Sequence, residues 1–265
     1  MANLKSLAKE TAIYGISSIF GRFLNYLLVP LYTATMAASS GAYGVITNVY
    51  SYTALLLVLL TFGMETTFFR FANKEDEDPQ RVYSTTLCLV GGVALAFVVL
   101  VLLFIHPIAA WMEYPDHPEY VATMFVCVAI DAFQSIPFAY LRYQRKALKF
   151  AALKLLFIVP NILINLLYFV GVPWLYGCEA TRPLVSWFFD GHIDFAWAFY
   201  INLFCTASVT LFFRRELTGF RYVFDRRLAI RMWHYSWPIL VFGIAGILNQ
   251  VADKILFRFI APHSG

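Results

Sequence analysis

The chain has 265 residues, of which 60% are hydrophobic and only 14% charged, with a formal net charge of +4. Those proportions exclude an ordinary soluble domain, and so modest a positive balance gives no argument for nucleic acid as a partner. The apolar residues fall in long blocks separated by short charged ones, so the expected fold class is all-α, a polytopic helical membrane protein.

The first apolar stretch, Thr11 to Met36, carries Arg22 near its middle. As a helix it covers roughly 39 Å at about 1.5 Å per residue, enough to cross a bilayer core with some tilt. It is much longer than the roughly 7 to 15 residues of a signal-peptide core, so it is expected to stay as a span. A guanidinium half-way across hydrocarbon costs about 2.5 to 3.5 kcal/mol on insertion scales, which marks Arg22 as a functional candidate facing a bundle interior or a wet cavity. Tyr14, Ser18, Arg22 and Asn25 share one helical stripe, and that stripe is expected to line something.

A short turn of small residues leads to a second segment, about Tyr43 to Phe71, with Asn48 and Ser51 near the turn and Glu65 and Arg70 at the other end. Glu65 is expected to pair with Arg70 at the interface. The run Asn73 to Arg81 holds Glu75, Asp76, Glu77 and Asp78 before Pro79 and is expected to be a solvated loop; adjacent acids without ligand spacing do not make a metal site. The third segment, Val82 to His106, is almost entirely aliphatic, suits a lipid-facing helix, and is expected to end at His106-Pro107. The loop after it carries Trp111, Tyr114 and Tyr120, aromatics of the kind found at the headgroup level.

The fourth segment, Tyr120 to Tyr143, has Asp131 at its centre, followed by Gln134, Ser135 and Pro137. The proline frees a carbonyl and is expected to bend the helix. Asp131 is the natural counter-charge for Arg22, with an ion-coupling or proton site as the alternative. In the fifth segment, about Phe150 to Tyr176, Asn161 and Asn165 share a face, and joining helices is the expected role ahead of binding sugar hydroxyls. The aromatic loop with Trp187-Phe188-Phe189 is expected to lie at the interface, and the sixth segment, about Ile193 to Phe213, places Asn202 and Thr206 on one face. Arg214 to Arg231 reads as a basic amphipathic linker on an anionic leaflet. The seventh segment, about Met232 to Ile260, carries Asn249, Gln250, Asp253, Lys254 and Arg258.

With these segments the domain expectation is a transmembrane lobe over 1–213, a cytoplasmic linker over 214–231 and the first helix of a second, incomplete lobe over 232–265. If the N-terminus is cytoplasmic, Lys5, Lys9, Arg70, Lys74, Arg81, the basic residues from Arg142 to Lys154 and the arginines from Arg214 to Arg231 lie on one side, against Arg182 alone on the other. That asymmetry predicts an inside N-terminus. Cys88, Cys127 and Cys205 fall in apolar segments and Cys178 stands alone in a loop, so no disulfide framework is expected.

An internal echo supports the second lobe. Leu24-Asn25 precedes Ser40-Gly41 by the interval at which Leu248-Asn249 precedes Ser264-Gly265, and Phe20-Gly21 and Phe242-Gly243 stand shortly upstream. Both helices then run from inside to outside, as a parallel repeat requires.

Taken together, Gly21-Arg22, Tyr43-Gly44-Val45-Ile46, Gly63-Met64-Glu65 to Phe69-Arg70, and Asn249-Gln250 to Asp253-Lys254 resemble polysaccharide biosynthesis flippases of the multidrug/oligosaccharidyl-lipid/polysaccharide transporter superfamily. The resemblance implies two helical lobes in a V around a central cavity. It also implies alternating access that carries a polyprenyl-diphosphate-linked oligosaccharide across the bacterial inner membrane, with cationic cavity residues meeting the diphosphate. On that basis the substrate-contacting candidates are Arg22, Asn25, Ser18, Asn48, Asn249 and Lys254, with Asp131 and Asp253 as counter-charges or ion-coupling groups. No cofactor is implied beyond a Na+ or H+ gradient or the membrane potential. The partners implied are the lipid-linked oligosaccharide, bilayer lipids, and polysaccharide polymerase and export proteins.

Two other functions compete. A cation-coupled multidrug exporter of the same superfamily needs a carboxylate-lined cavity, for which Asp131 is the only deep acid in the first six segments. A membrane-embedded polymerase or glycosyltransferase needs paired carboxylates, a metal-binding acidic motif or an arginine-bearing external loop; the outer loops offer only Arg182 with scattered acids such as Glu113 and Asp190, and the sequence presents no catalytic constellation.

Overall fold

Aspartates set the start of three helices. Asp78 accepts from the backbone N–H of Gln80 at 3.1 Å, Asp194 from that of Ala196 at 2.8 Å, and Asp225 from those of Arg227 and Leu228 at 2.9 and 3.0 Å. Each side chain satisfies N–H groups that a helix start leaves without partners. The computed structural model describes residues 12–15, 28–35, 42–112 and 114–260, and of residues 42, 43, 45, 47, 48 and 249–260 the backbone alone.

All regular structure among the described residues is helical. We number the helices α1 (Leu28–Thr35), α2 (Ala42–Thr61), α3 (Met64–Ala72), α4 (Pro79–Leu103), α5 (Ile105–Trp111), α6 (Pro118–Tyr143), α7 (Ala147–Leu166), α8 (Val172–Gly177), α9 (Arg182–Val185), α10 (Ala196–Phe212), α11 (Arg214–Thr218) and α12 (Arg226–Ile260). A π-helical turn, Leu167–Gly171, joins α7 to α8. Among the described residues four helical stretches are long and apolar enough to cross a membrane: Val49–Ala72, Pro79–Leu103, Pro118–Tyr143 and Ala147–Gly177. The first expected segment falls mostly outside the described residues. Helix α10, which corresponds to the sixth, is shorter than these four.

The chain divides into two compact units, one of residues 47–144 and 210–265, the other of residues 1–46 and 145–209. In the first, α6 is the central helix, buried along most of its length, whereas α4 leaves most of its apolar surface uncovered. Gly91 brings α4 to within 3.3 Å of the Phe133 ring, measured from where a Cβ would stand. Ala94, Ala129 and Ala132 continue this close seam, the small-residue packing on which helix association in lipid depends. The far end of α4 is bare, with Leu95, Leu100, Leu102 and Leu103 all more than half exposed. A soluble domain would hide so large an apolar face; hydrocarbon around it removes that cost.

The end of α4 differs from the sequence expectation. The helix stops at Phe104, whose N–H reaches Leu100 O at 3.0 Å, and His106-Pro107 lie inside the next short helix. A proline in the first turn loses no hydrogen bond, because those N–H groups lack helical partners anyway.

The second expected segment is not one helix. It breaks at Phe62 and Gly63, with φ of 34° and 70°, and resumes as α3. The break faces α12: a Cβ on Gly63 would stand 2.8 Å from Ile239 Cγ2, and the Phe62 ring lies 5.3 Å from that of Trp233. Met64, Phe68, Tyr83, Ile136, Leu228 and Met232 close the core at this end, drawing on α3, α4, α6 and α12.

In the other unit, α1 meets the α7–π–α8 stretch through Tyr32, whose ring stands edge-on to Phe169 at 5.4 Å. The aromatic loop is divided. Phe189 is buried with Val172 and Val185, whereas Trp187 is 81% exposed.

Candidate functional site

Of the expected cavity stripe of Tyr14, Ser18, Arg22 and Asn25, Tyr14 alone falls among the described residues, its ring edge-on to Phe150 at 5.2 Å; the other three, and with them the Arg22–Asp131 contact, lie outside them. Asn48 stands on α2, and Asn249, Asp253 and Lys254 on α12, but their side chains are outside the described set. Asp131 occupies the middle of α6 and is half-buried. One turn on, Gln134 donates to Thr210 Oγ1 at 2.8 Å, so the polar face of this helix is tied to the end of α10.

Two polar clusters stand out among the described residues, one in each unit. The smaller joins α1 to α7. Tyr32 OH donates to Asn165 Oδ1 at 2.8 Å, and the Asn165 amide donates to Asn161 O at 2.8 Å and to Asn161 Oδ1 at 3.1 Å. Asn161 and Asn165 are 4% and 0% exposed. Asn165 thus joins α7 to α1, as the helix-joining expectation has it, whereas Asn161 bonds to Asn165 within α7. Tyr32 was not anticipated; its signal was a phenol in a mostly apolar stretch, which needs a partner once buried.

The larger cluster gathers charge at one end of the other unit. Glu65 pairs with Arg142 of α6, not with Arg70 as the sequence suggested. The reason is angular: residues five apart on a helix are separated by about 140° and do not share a face. Arg70 instead lies over the Tyr235 ring of α12 at 4.1 Å. Arg142 also covers Phe69, at 5.2 Å.

The acidic run is also more engaged than a solvated loop. Asp78 caps α4, and Glu77, whose side chain is only 10% exposed, takes an ion pair from Arg231 at 2.6 Å. Arg81 and Asp225 approach at 3.6 Å. The N–H of Leu228, then that of Arg227 and the positive charges of Arg81 and Arg231, outweigh desolvation and hold the Asp225 carboxyl below the usual aspartate value.

The linker is fastened to this end. After α11 the backbone from Gly219 runs without regular structure to Asp225. Ser84 Oγ accepts from Val223 N at 2.8 Å, and Thr85 Oγ1 accepts from Asp225 N at 3.3 Å. Tyr83 OH donates to Glu216 O at 3.0 Å, while its ring stacks on Tyr140 at 3.9 Å and meets Phe220 at 5.1 Å. Helix α12 consequently starts at Arg226, directly after its aspartate cap and six residues before the expected Met232.

Chemically, the described groups hold helices together and present charge at one end. Among the described residues no group of three His, Cys, Asp or Glu side chains is placed to hold a metal. No protein-family model, no curated protein and no solved structure matches this chain.

Proposed function

We propose that the chain moves a polyprenyl-diphosphate-linked oligosaccharide from the cytoplasmic to the outer leaflet of the bacterial inner membrane by alternating access. The observation that carries the reading is Arg22 in the middle of the apolar stretch Thr11 to Met36. A diphosphate needs fixed positive charge in a low-dielectric cavity, and a guanidinium meets it with a planar bidentate fork. Lys254 is a second cationic contact, Ser18, Asn25, Asn48 and Asn249 supply polar wall, and Asp131 and Asp253 balance charge or couple an ion. The four apolar helical stretches and the asymmetric distribution of Lys and Arg support a multi-pass protein with a cytoplasmic N-terminus.

Deleting the gene tests the proposal. Lipid-linked repeat units should then accumulate facing the cytoplasm while surface polysaccharide falls, and re-expression should reverse both. Unchanged surface polysaccharide would overturn it.

Asp131 favours one second reading, a cation-coupled exporter of cationic drugs, because a carboxylate at mid-helix attracts such cargo. In that case expression raises drug resistance and leaves polysaccharide alone.

A further inference from the structure

We propose that the segment Arg221 to Arg227 is a preformed docking surface for anionic phospholipid, held in place by Ser84 and Thr85. The inference needs only that the chain sits in a bilayer and stands apart from the identity of any transported cargo.

Three observations combine. First, the backbone here is fixed. Val223 and Asp225 are pinned by N–H donation to Ser84 Oγ at 2.8 Å and Thr85 Oγ1 at 3.3 Å, and both of these α4 residues are fully buried. On the linker side, Phe220 packs against Tyr83, and the Tyr222 ring leans on Phe220 at 4.7 Å. Second, with its backbone turned to the helices, the segment presents apolar side chains outward. Tyr222, Val223 and Phe224 are 53%, 40% and 54% exposed, three adjacent residues that water would penalise and an interface would accept.

Third, the arginines around them divide into two groups. Arg81 and Arg231 are committed to Asp225 and Glu77. Arg221, Arg226 and Arg227 are exposed and have no carboxylate partner among the described residues. The remaining acid of the linker, Glu216, is only 4% exposed and offers the surface little charge. An apolar triplet flanked by uncommitted guanidinium groups matches the boundary where acyl chains meet phosphate, and phosphate suits the arginine fork. Because the strap is already ordered, lipid binding does not have to order it.

The full-length protein in neutral detergent is titrated with phosphatidylglycerol, with phosphatidylcholine and with glycerol 1-phosphate. The expected result is binding of phosphatidylglycerol alone. Each uncommitted arginine contributes roughly fivefold near an anionic surface, so the triple variant R221Q/R226Q/R227Q should bind about a hundredfold more weakly. The triple lysine variant, which keeps the charge, should stay within about tenfold of the native chain. Native-level binding by the glutamine variant would overturn the proposal. So would equal binding of phosphatidylcholine, a free glycerol phosphate as tight as the lipid, or loss of binding in the lysine variant to the glutamine level.

Discussion

Replacing Gly63 by alanine tests the seam between the broken second segment and α12. Gly63 has φ of 70°, where an L residue costs about 1–2 kcal/mol relative to glycine. The added Cβ would stand 2.8 Å from Ile239 Cγ2, 2.9 Å from Ile239 Cβ and 3.3 Å from the backbone oxygen of Ser236. Isoleucine is branched at Cβ and cannot swing clear, so overpacking adds about 1–3 kcal/mol. The sum, about 2–5 kcal/mol, should lower the thermal midpoint of the purified protein by roughly 5–15 °C on the scale of soluble domains of this size.

Two companion variants separate the causes. Ile239→Ala in the Gly63→Ala background removes the Cγ2 contact but keeps the Cβ at 2.9 Å, so it should recover only part of the overpacking cost and none of the backbone cost of about 1–2 kcal/mol. Gly92→Ala, at a helical position where a Cβ meets nothing within 4 Å, should stabilise by about 0.5–1 kcal/mol. A Gly63→Ala protein melting with the native chain would refute both the close approach and the left-handed backbone.

Other outcomes follow from the polar clusters. Tyr32→Phe removes the donor to a fully buried Asn165 and should cost about 1 kcal/mol in thermal or denaturant unfolding. In the pair of Glu77 and Arg231, Arg231→Gln should destabilise more than Glu77→Gln, by about 1–2 kcal/mol, because it strands a carboxylate that is 10% exposed whereas the reverse change leaves a half-exposed guanidinium. A double-mutant cycle on Glu65 and Arg142, whose side chains are 42% and 32% exposed, should return a coupling below about 1 kcal/mol. Asp225 contributes stability that is complete above its unfolded value near 3.8, because its folded carboxyl is held lower. That contribution is lost as pH falls through the folded value, and in Asp225→Asn the acid limb of a stability–pH profile should flatten.

Helix existence was legible in the sequence wherever apolar residues ran uninterrupted, as over Pro79–Leu103, and so was the shared face of Asn161 and Asn165, of which Asn165 joins a second helix. What escaped was decided between helices. Glu65 found Arg142 because α3 and α6 pack together, a contact with no trace in local spacing. The break at Phe62-Gly63 lay hidden in an apolar run, where only the glycine hinted at a special backbone. Asp225 was missed as a cap although its signal was present, an aspartate directly before Arg226 that starts the helix upstream of the expected Met232. The candidate cavity residues came entirely from sequence, from the cost of Arg22 in an apolar stretch and from the echo at Asn249 to Lys254.

The most direct measurement of the central claim is export of surface polysaccharide in cells whose only copy carries Arg22→Ala or Arg22→Lys, at matched protein levels in the membrane. A diphosphate anchor predicts near-complete loss in the alanine variant and partial export with lysine, which keeps the charge but not the fork. Native export by the alanine variant would contradict the account.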